Sequence, residues 1–260
     1  MTPKSMCILF IAVKQHPDYP LIIAANRDEF HQRPTALSQF WDDNNDILAG
    51  RDLRAKGTWM GINKNGRLSA LTNVRDPQKL LDNPISRGEL VSEFLAKQIS
   101  AQDYLRTLQQ TKKSYNGYNL LFGDWDDLWV YNNHTDKTQH LTEGVFGLSN
   151  ADLNSPWPKV NQGVAQLKNH CQQRGPLDTD KLFAILLDQT QSNDELLPQT
   201  GVSIEWERKL SSIFIQSQEY GTRSSTLLLI DNNKVAHWHE HTFDSNGVNC
   251  QQRDYSFTIT

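Results

Sequence analysis

A cysteine near the start of the chain, Cys7, is the residue whose type and position point most directly to chemistry. It follows a second methionine, Met6, and opens an apolar run that ends at Val13. If translation starts at Met6 and that residue is removed, Cys7 becomes the first residue. Its free α-amine, with an ordinary pKa of about 8, could then take up the thiol proton directly or through a water. The alternative is a packing role, because a cysteine at the head of an apolar strand is usually buried.

The tetrad Asn26-Arg27-Asp28-Glu29 supplies polar and charged groups that a nucleophile could use. Apolar runs at residues 8–13 and 21–25 flank a polar segment, 14–20, that contains two prolines. This pattern predicts an antiparallel hairpin, which brings the tetrad back beside Cys7. An arginine close to the thiol would favour the thiolate by its charge.

The rest of the chain alternates between groups of strands and pairs of helices. Apolar and period-2 patterns predict strands at 47–52, 57–62, 68–73, 118–123, 128–132, 144–149, 211–215, 225–230, 235–243 and 255–259. The segment from the tetrad to Asn45 is predicted as an irregular loop. Helical spacing predicts helices at 87–99, 101–110, 157–171 and 179–187. Ser86 and Glu89 form a candidate capping box for the first helix.

Strands, two helices, strands, two helices and strands, in that order, predict the α+β class with antiparallel sheets. A four-layer αββα sandwich, with two antiparallel sheets flanked by helix pairs, accommodates these elements. We expect a single domain over residues 6–260. Residues 1–5 are interpreted as an N-terminal extension, which is absent if translation starts at Met6.

Composition excludes several classes of function. The net charge is −4 and the basic residues are scattered, so nothing favours nucleic acid as a partner. No apolar run approaches the roughly 18 residues that a membrane-spanning helix needs, and we expect no integral membrane segment. The three cysteines, at positions 7, 171 and 250, have no metal-ligand spacing. Such a sparse, odd set indicates reduced thiols and a cytoplasmic location. We expect no cofactor, with haem as a candidate ligand only.

Several separated motifs resemble, in the same order, those of the NRDE family, also called the transport and Golgi organisation family. The resemblance runs from about residue 6 to the last strand and rests on Met6-Cys7, Asn26-Arg27-Asp28-Glu29, Gly50-Arg51-Asp52, Gly57-Thr58-Trp59-Met60-Gly61, Leu71-Thr72-Asn73, Gly147-Leu148-Ser149-Asn150 and Tyr220-Gly221-Thr222-Arg223-Ser224-Ser225-Thr226. This family in turn looks like the choloylglycine hydrolase and acid ceramidase branch of the N-terminal nucleophile superfamily. That resemblance implies the αββα fold and hydrolysis of an amide.

The resemblance to this branch also implies catalytic roles for five residues. Cys7 matches the nucleophile, and Asp28 matches the aspartate that orients its amine. Asn73 and Asn150 are the candidates for the oxyanion hole, because their amide groups could donate to a developing oxyanion. Arg223 matches a late arginine that lines the nucleophile pocket. As alternatives, the aspartate and both asparagines could be turn residues, and Arg223 could simply pair with a carboxylate.

One position departs from the pattern of the hydrolase branch. An arginine usually precedes the aspartate by three residues there, whereas this chain has Ala25. Ala25 and Arg27 point to the same face of a strand, so Arg27 is the candidate substitute. We assign four residues to the substrate pocket around Cys7, namely Asn26, Arg27, Glu29 and Trp59.

His237, His239 and His241 alternate within one predicted strand and should share a face. Three such imidazoles are candidates for a metal or haem site, but no partner ligand is placed by spacing. The alternative is an exposed strand face, with Trp238 turned to the core.

Two functions follow from these residues and the resemblance. The first is a cysteine amidohydrolase or acyltransferase of N-terminal nucleophile type, acting on a small amide with an apolar acyl group. The second is a non-catalytic carrier of haem or an acyl-lipid in the same pocket. The second applies if residues 1–5 stay attached, because Cys7 then lacks a free amine.

Overall fold

Two antiparallel sheets stack face to face and carry helices on their outer faces. The computed structural model describes residues 6–173 and 177–260, so the predicted extension at residues 1–5 lies outside the described residues. The first sheet has six strands in the order β10-β1-β2-β11-β12-β13, and the second has seven in the order β3 to β9. The strands are β1 (Met6–Val13), β2 (Leu21–Phe30), β3 (Thr35–Trp41), β4 (Asn44–Asp52), β5 (Met60–Asn63), β6 (Arg67–Asn73), β7 (Tyr118–Asp124), β8 (Asp127–Asn132), β9 (Lys137–Leu141), β10 (Gly144–Leu148), β11 (Tyr220–Ile230), β12 (Val235–Phe243) and β13 (Asn249–Thr258).

Helices cover both outer faces. They are α1 (Gly88–Ala96), α2 (Ala101–Thr111), α3 (Pro158–Cys171), α4 (Thr179–Leu186) and the short α5 (Ile204–Lys209). The first two pack on the seven-stranded sheet through residues such as Phe94 and Leu108, and α3 and α4 pack on the six-stranded sheet. The predicted α+β class and αββα layering are therefore confirmed. No helix among the described residues is long and apolar enough to cross a membrane.

Strand β1 is apolar along its whole length because both of its faces are covered. Leu9 and Ile11 belong to the cluster between the two sheets, whereas Ile8 and Phe10 pack against the helices. The ring of Phe10 fills the space where a Cβ of Gly163 would lie, only 2.0 Å from that ideal position. This glycine lets α3 approach β1 closely.

Some sequence expectations were wrong about where elements begin and end. Strand β2 runs to Phe30, so the tetrad lies within a strand. The predicted loop that follows contains β3, and the predicted strand at 211–215 is not a strand, although Ile213 is buried. Ser86 does not cap α1, whose N-cap residue is Arg87 without a side-chain bond. Both β9 and α5 were missed.

Candidate functional site

The register of β1 against β2 fixes the surroundings of the cysteine. Cys7 pairs with Arg27, and Met6 pairs with Asp28. Because paired residues on neighbouring strands share a face, the Cys7 and Arg27 side chains lie between the sheets, whereas Met6 and Asp28 face the helical side. The Asp28 carboxylate and the Cys7 thiol therefore lie on opposite faces of the sheet. Asp28 is next to Met6, the residue that precedes Cys7.

A cleft of about 500 Å³ opens on the Arg27 side of the sheet. Four arginines and two carboxylates line it, together with apolar side chains. The lining residues are Arg27, Glu29, Phe30, Arg33, Asp52, Arg54, Ala55, Gly57, Thr58, Trp59, Leu71, Asn73, Pro84, Ile85, Ser86, Arg87, Gly88 and Asn116. A further cavity of about 420 Å³ shares four of these residues and extends toward Glu219. Such a surface, cationic overall and partly apolar, suits an amphipathic ligand with an anionic part.

Arg27 and Trp59 form one wall of the cleft. The Arg27 guanidinium lies 4.2 Å from the centroid of the Trp59 ring, and its Nη1 donates to Thr35 Oγ1 at 3.1 Å. A Cβ at Gly50 would lie 2.2 Å from the Trp59 ring, so only glycine leaves room for the indole. This cation–π contact holds the guanidinium on the face of the sheet that carries Cys7.

At the border of the cleft, two backbones meet without intervening side chains. The Thr58 N–H donates to the Gly88 carbonyl at 3.2 Å. A Cβ on Gly57 would lie 2.5 Å from the Gly88 carbonyl carbon. The loop before β5 is thereby joined directly to the start of α1.

The Cys7 side chain is buried, with 5% of the residue exposed. Burial, and then the negative charge of Asp28, raises the pKa of its thiol to about 12, while Arg27 acts in the opposite direction. The thiol is therefore protonated near neutral pH in the chain that retains Met6. A nucleophilic reaction at this sulfur needs a base close by.

Asp28 and Lys159 are both buried on the helical side of β2 and interact electrostatically. Burial raises the pKa of Asp28 to about 6, and the positive charge of Lys159 acts in the opposite direction. The Thr222 Oγ1 donates to Oδ1 of Asp28 at 2.7 Å. Burial and the nearby Arg75 guanidinium lower the pKa of Lys159 to about 8. Its Nζ makes no hydrogen bond within the described residues.

Asn73 and Asn150 are brought together at the ends of β6 and β10. The Asn150 Nδ2 donates to the Asn73 carbonyl at 2.9 Å, and both residues are buried. Asn73 also lines the cleft, whereas Asn150 does not. Of the two asparagines, Asn73 is therefore the one that borders the cleft.

Two other predicted site residues lie on opposite faces of β2. Asn26 faces the helices, where its Nδ2 donates to the carbonyls of Leu186 and Ile213 and its Oδ1 accepts from Ser225. It therefore does not line the predicted pocket, because its position in β2 turns it to the opposite face from Arg27. Glu29, on the same face as Arg27, does line the cleft, 3.6 Å from Arg33.

Arg223 occupies a bulge between Thr222 and Ser224, where β11 shifts its register against β2. Its Nη1 donates to the carbonyls of residues 30, 31 and 33, at 3.1, 3.1 and 3.3 Å. The side chain is thus hydrogen-bonded to the backbone at the end of β2 and does not line the cleft. A bulge re-aims a side chain in this way, and sequence alternation alone does not reveal it.

Comparison with known proteins places this arrangement in a family. The sequence profile of the Transport and Golgi organisation 2 family matches residues 6–245. The chain belongs to this family. The mouse and human Transport and Golgi organisation 2 homologues are each 34% identical over 98% of this chain and 99% of their own length. The Drosophila melanogaster family protein is 25% identical, over 91% of this chain and 92% of its own length.

Among solved structures, the chain is similar to a Caenorhabditis elegans orthologue of N-acylethanolamine-hydrolyzing acid amidase. The TM-score is 0.50 at 10% sequence identity, over 86% of this chain and 92% of the amidase. This likeness concerns the fold and agrees with the αββα layering of the present member of the Transport and Golgi organisation 2 family.

The three histidines of β12 do not converge in this family member. His237 contacts Ser256 through Nδ1, His239 contacts Asp254 at 2.6 Å, and His241 stacks on Phe183 with ring centroids 3.7 Å apart. No group of three or more metal-ligating side chains is found within residues 6–173 and 177–260. Trp238 is buried in the core, as expected.

Sequence reasoning missed Arg33, Arg54, Arg87 and Lys159. The three arginines come from loops and a helix start, where no periodicity fixes side-chain direction. Lys159 did leave a signal, because it precedes Gly163 by four residues and Leu167 by eight. It therefore lies on the buried stripe of α3, where an unpaired charge is unusual.

Proposed function

We propose that this protein is a cysteine amidohydrolase of N-terminal nucleophile type, with Cys7 as the nucleophile once Met6 is removed. The observation that carries the proposal is the register of β1 and β2. It pairs Cys7 with Arg27 on the cleft side and Met6 with Asp28 on the helical side. Removal of Met6 would create an α-amine at the position nearest to Asp28, while the thiol stays on the side of the ligand cleft.

The reaction would proceed through a thioester. The Cys7 amine takes the thiol proton, and the sulfur attacks the amide carbonyl carbon to give a tetrahedral oxyanion. An amide N–H of Asn73, which lines the cleft, is the candidate donor to that oxygen. The intermediate expels the amine, which receives the proton held by the α-ammonium group. Water then cleaves the thioester to a carboxylic acid and restores the thiol; transfer to a second nucleophile would make the protein an acyltransferase.

The cleft indicates what the substrate would look like. Apolar contacts are available from Phe30, Leu71 and Ile85. Cations are available from Arg54 and from Arg33, whose Nε also pairs with Asp52 at 2.7 Å. An amide with an apolar acyl group and an anionic substituent would satisfy both kinds of surface. The structurally similar amidase is named for its hydrolysis of N-acylethanolamines, which are likewise amides with an acyl group.

The decisive experiment compares two proteins that differ only at the N-terminus. One begins at Cys7, released from a cleavable fusion, and the other retains Met6. Each is incubated with a set of fluorogenic amides of increasing acyl length, and the released amine and the intact protein mass are measured. We expect amine release and an acyl adduct only in the protein that begins at Cys7.

Cysteine variants provide matched controls. Cys7→Ala should abolish both signals, whereas Cys171→Ala, at another buried cysteine, should leave them unchanged. If the protein that begins at Cys7 neither releases amine nor forms an adduct with any amide of the set, the hydrolase proposal is wrong.

A second function is favoured by the state of the site while Met6 is attached. Cys7 then has a peptide nitrogen, its thiol is protonated, and the Met6 N–H donates to the Tyr220 hydroxyl at 2.9 Å. The cationic cleft could still hold an acyl-lipid or haem through its anionic groups. Titration of the Cys7→Ala protein with a fatty acid or haem tests this carrier function, and Arg33→Gln/Arg54→Gln should weaken binding if the cleft is the site. If the arginine variant binds the ligand as tightly as the protein with both arginines, the cleft is not the binding site.

A further inference from the structure

Two loops form the rim of the cleft and carry exposed apolar side chains. The first rim loop, residues 53–59, joins β4 to β5, and the second rim loop, residues 74–87, joins β6 to α1. Both contribute lining residues to the cleft. Among the described residues, eight large apolar side chains are exposed, and four of these lie in the two rim loops. They are Leu53, Leu80, Leu81 and Ile85, each 41–44% exposed.

The same loops are rich in positive charge. They contain five basic and two acidic residues, in a chain whose net charge is −4. One of the basic residues, Arg75, is buried in an ion pair with Glu207, at 2.7 Å. Arg54 and Lys56 are exposed beside Leu53. Arg87 is also largely enclosed, and its Nη1 donates to the Gly117 carbonyl. The exposed basic side chains of the two loops are therefore Arg54, Lys56 and Lys79, against the acidic Asp76 and Asp82, so the rim keeps a small excess of positive charge in a chain that is negative overall.

We propose that the rim of the cleft docks on an anionic lipid surface, with Leu80, Leu81 and Ile85 inserted at the interface. Apolar side chains at a loop tip gain free energy when they enter the acyl boundary, and neighbouring lysine and arginine side chains are attracted to anionic headgroups. This geometry would open the cleft toward the membrane, so that an amphipathic ligand could pass between the bilayer and the cleft. The docking does not depend on whether Cys7 is catalytic.

The charge pattern favours a lipid surface over another soluble protein. An anionic bilayer is flat and negative everywhere, so it attracts the exposed cations of the rim, although the chain as a whole has a net charge of −4. Such a surface selects one orientation of the molecule. A specific protein partner would instead require complementary shape over about 800 Å² of this chain, which is more than a few loop side chains provide.

The test is sedimentation of the full chain with vesicles of phosphatidylcholine, alone or mixed equally with phosphatidylserine. We expect binding to the mixed vesicles that weakens as salt is added. The rim variant Leu80→Ser/Leu81→Ser/Ile85→Ser should bind at least about tenfold more weakly. The control variant Leu196→Ser/Ile204→Ser/Val248→Ser removes three exposed apolar side chains elsewhere and should bind as the wild type does.

Charge is tested separately with Arg54→Gln/Lys56→Gln. This variant should bind the mixed vesicles about threefold to tenfold more weakly, and vesicles of phosphatidylcholine alone without change. Thermal melting confirms that each variant is folded; if the triple variant is not, Leu80→Ser and Leu81→Ser are tested singly and should each weaken binding about threefold.

Three results would overturn the proposal: no binding of the wild type to mixed vesicles, equal loss in the rim and control variants, or self-association of the wild type that the rim variant abolishes. The last result would make the rim an interface between two copies of this chain.

Discussion

The two faces of β2 differ in how their polar side chains are used. On the helical face, each polar atom of the Asn26 side chain is bonded to the surrounding backbone or to Ser225, so that the side chain ties the sheet to the segments over it. On the cleft face, Arg27 and Glu29 line a cavity that a ligand could enter. Asn26 therefore supports the fold, whereas Arg27 and Glu29 border the cleft, in step with the pleat of the strand. Substitutions on each face should separate stability from reactivity.

Asn26→Ala should have the largest effect on stability. It leaves two buried carbonyls and the Ser225 hydroxyl without their partner, and we expect a loss of about 3 to 5 kcal/mol in the free energy of unfolding. Urea denaturation measures this loss. Asn232, whose Nδ2 donates to the Pro17 carbonyl at an exposed site, is the matched control, and Asn232→Ala should cost less than about 1 kcal/mol. Equal losses would contradict a special role for the helical face.

Asp28 should make stability depend on pH in the acid range. Its pKa rises from 3.8 in the unfolded chain to about 6 in the folded protein. The folded state thus holds the proton more tightly, and this stabilising contribution is present below pH 3.8 and lost as the pH rises through about 6. Over that interval, the free energy of unfolding of the wild type should fall by about 1 to 3 kcal/mol relative to that of Asp28→Asn.

Urea denaturation at a series of pH values gives this difference. Lys159→Met should move the loss of stability to higher pH, since Lys159 lowers the pKa of Asp28. A constant difference between wild type and Asp28→Asn across the interval would show that Asp28 titrates normally.

Arg223→Ala tests whether the bulge residue belongs to the site. Because Arg223 bonds three carbonyls at the end of β2, we expect a loss of about 1 to 2 kcal/mol in the free energy of unfolding. The rate at which iodoacetamide modifies Cys7 should stay the same, measured in a protein that lacks Cys171 and Cys250. A clear change in that rate would return Arg223 to the candidate catalytic residues.

Arg27→Gln should have the smallest effect on stability and a visible effect on the thiol. Removal of a buried charge ends its desolvation cost, and this gain offsets part of the lost hydrogen bonding. We therefore expect the free energy of unfolding to change by about 1 kcal/mol. Loss of the cation should raise the pKa of Cys7 further and slow its alkylation about threefold to tenfold at alkaline pH. An unchanged pH profile of alkylation would show that the guanidinium does not act on the sulfur.

Features that rest on residues close together in the sequence could be predicted from it. The hairpin of β1 and β2 was predictable, because two apolar runs flank a short proline-containing segment. That hairpin alone brought the tetrad beside Cys7. The identity of the two faces followed from alternation, although Asn26 was assigned to the wrong one.

The rest depended on long-range contacts that no local pattern encodes. The segment at 211–215 has strand-like composition, but the Ile213 carbonyl is bonded by Asn26 and the Ile215 N–H by Thr222 Oγ1, in place of a regular ladder. The bulge that re-aims Arg223 exists only through the pairing of β11 with β2. The catalytic roles of Cys7, Asp28, Asn73, Asn150 and Arg223 stay predictions.

The contact between Gly57 and Gly88 limits how the cleft can adapt to what it binds. There, the first rim loop is joined backbone to backbone to the start of α1, and it cannot move away without breaking the bond from Thr58 to the Gly88 carbonyl. Near Arg33 and Arg54, by contrast, the cleft shares its lining with the second cavity. The wall at the two glycines is therefore fixed, whereas the second cavity can take up additional ligand length. Ligands of a homologous series should share a position at the glycine wall and differ in how far they reach toward Glu219.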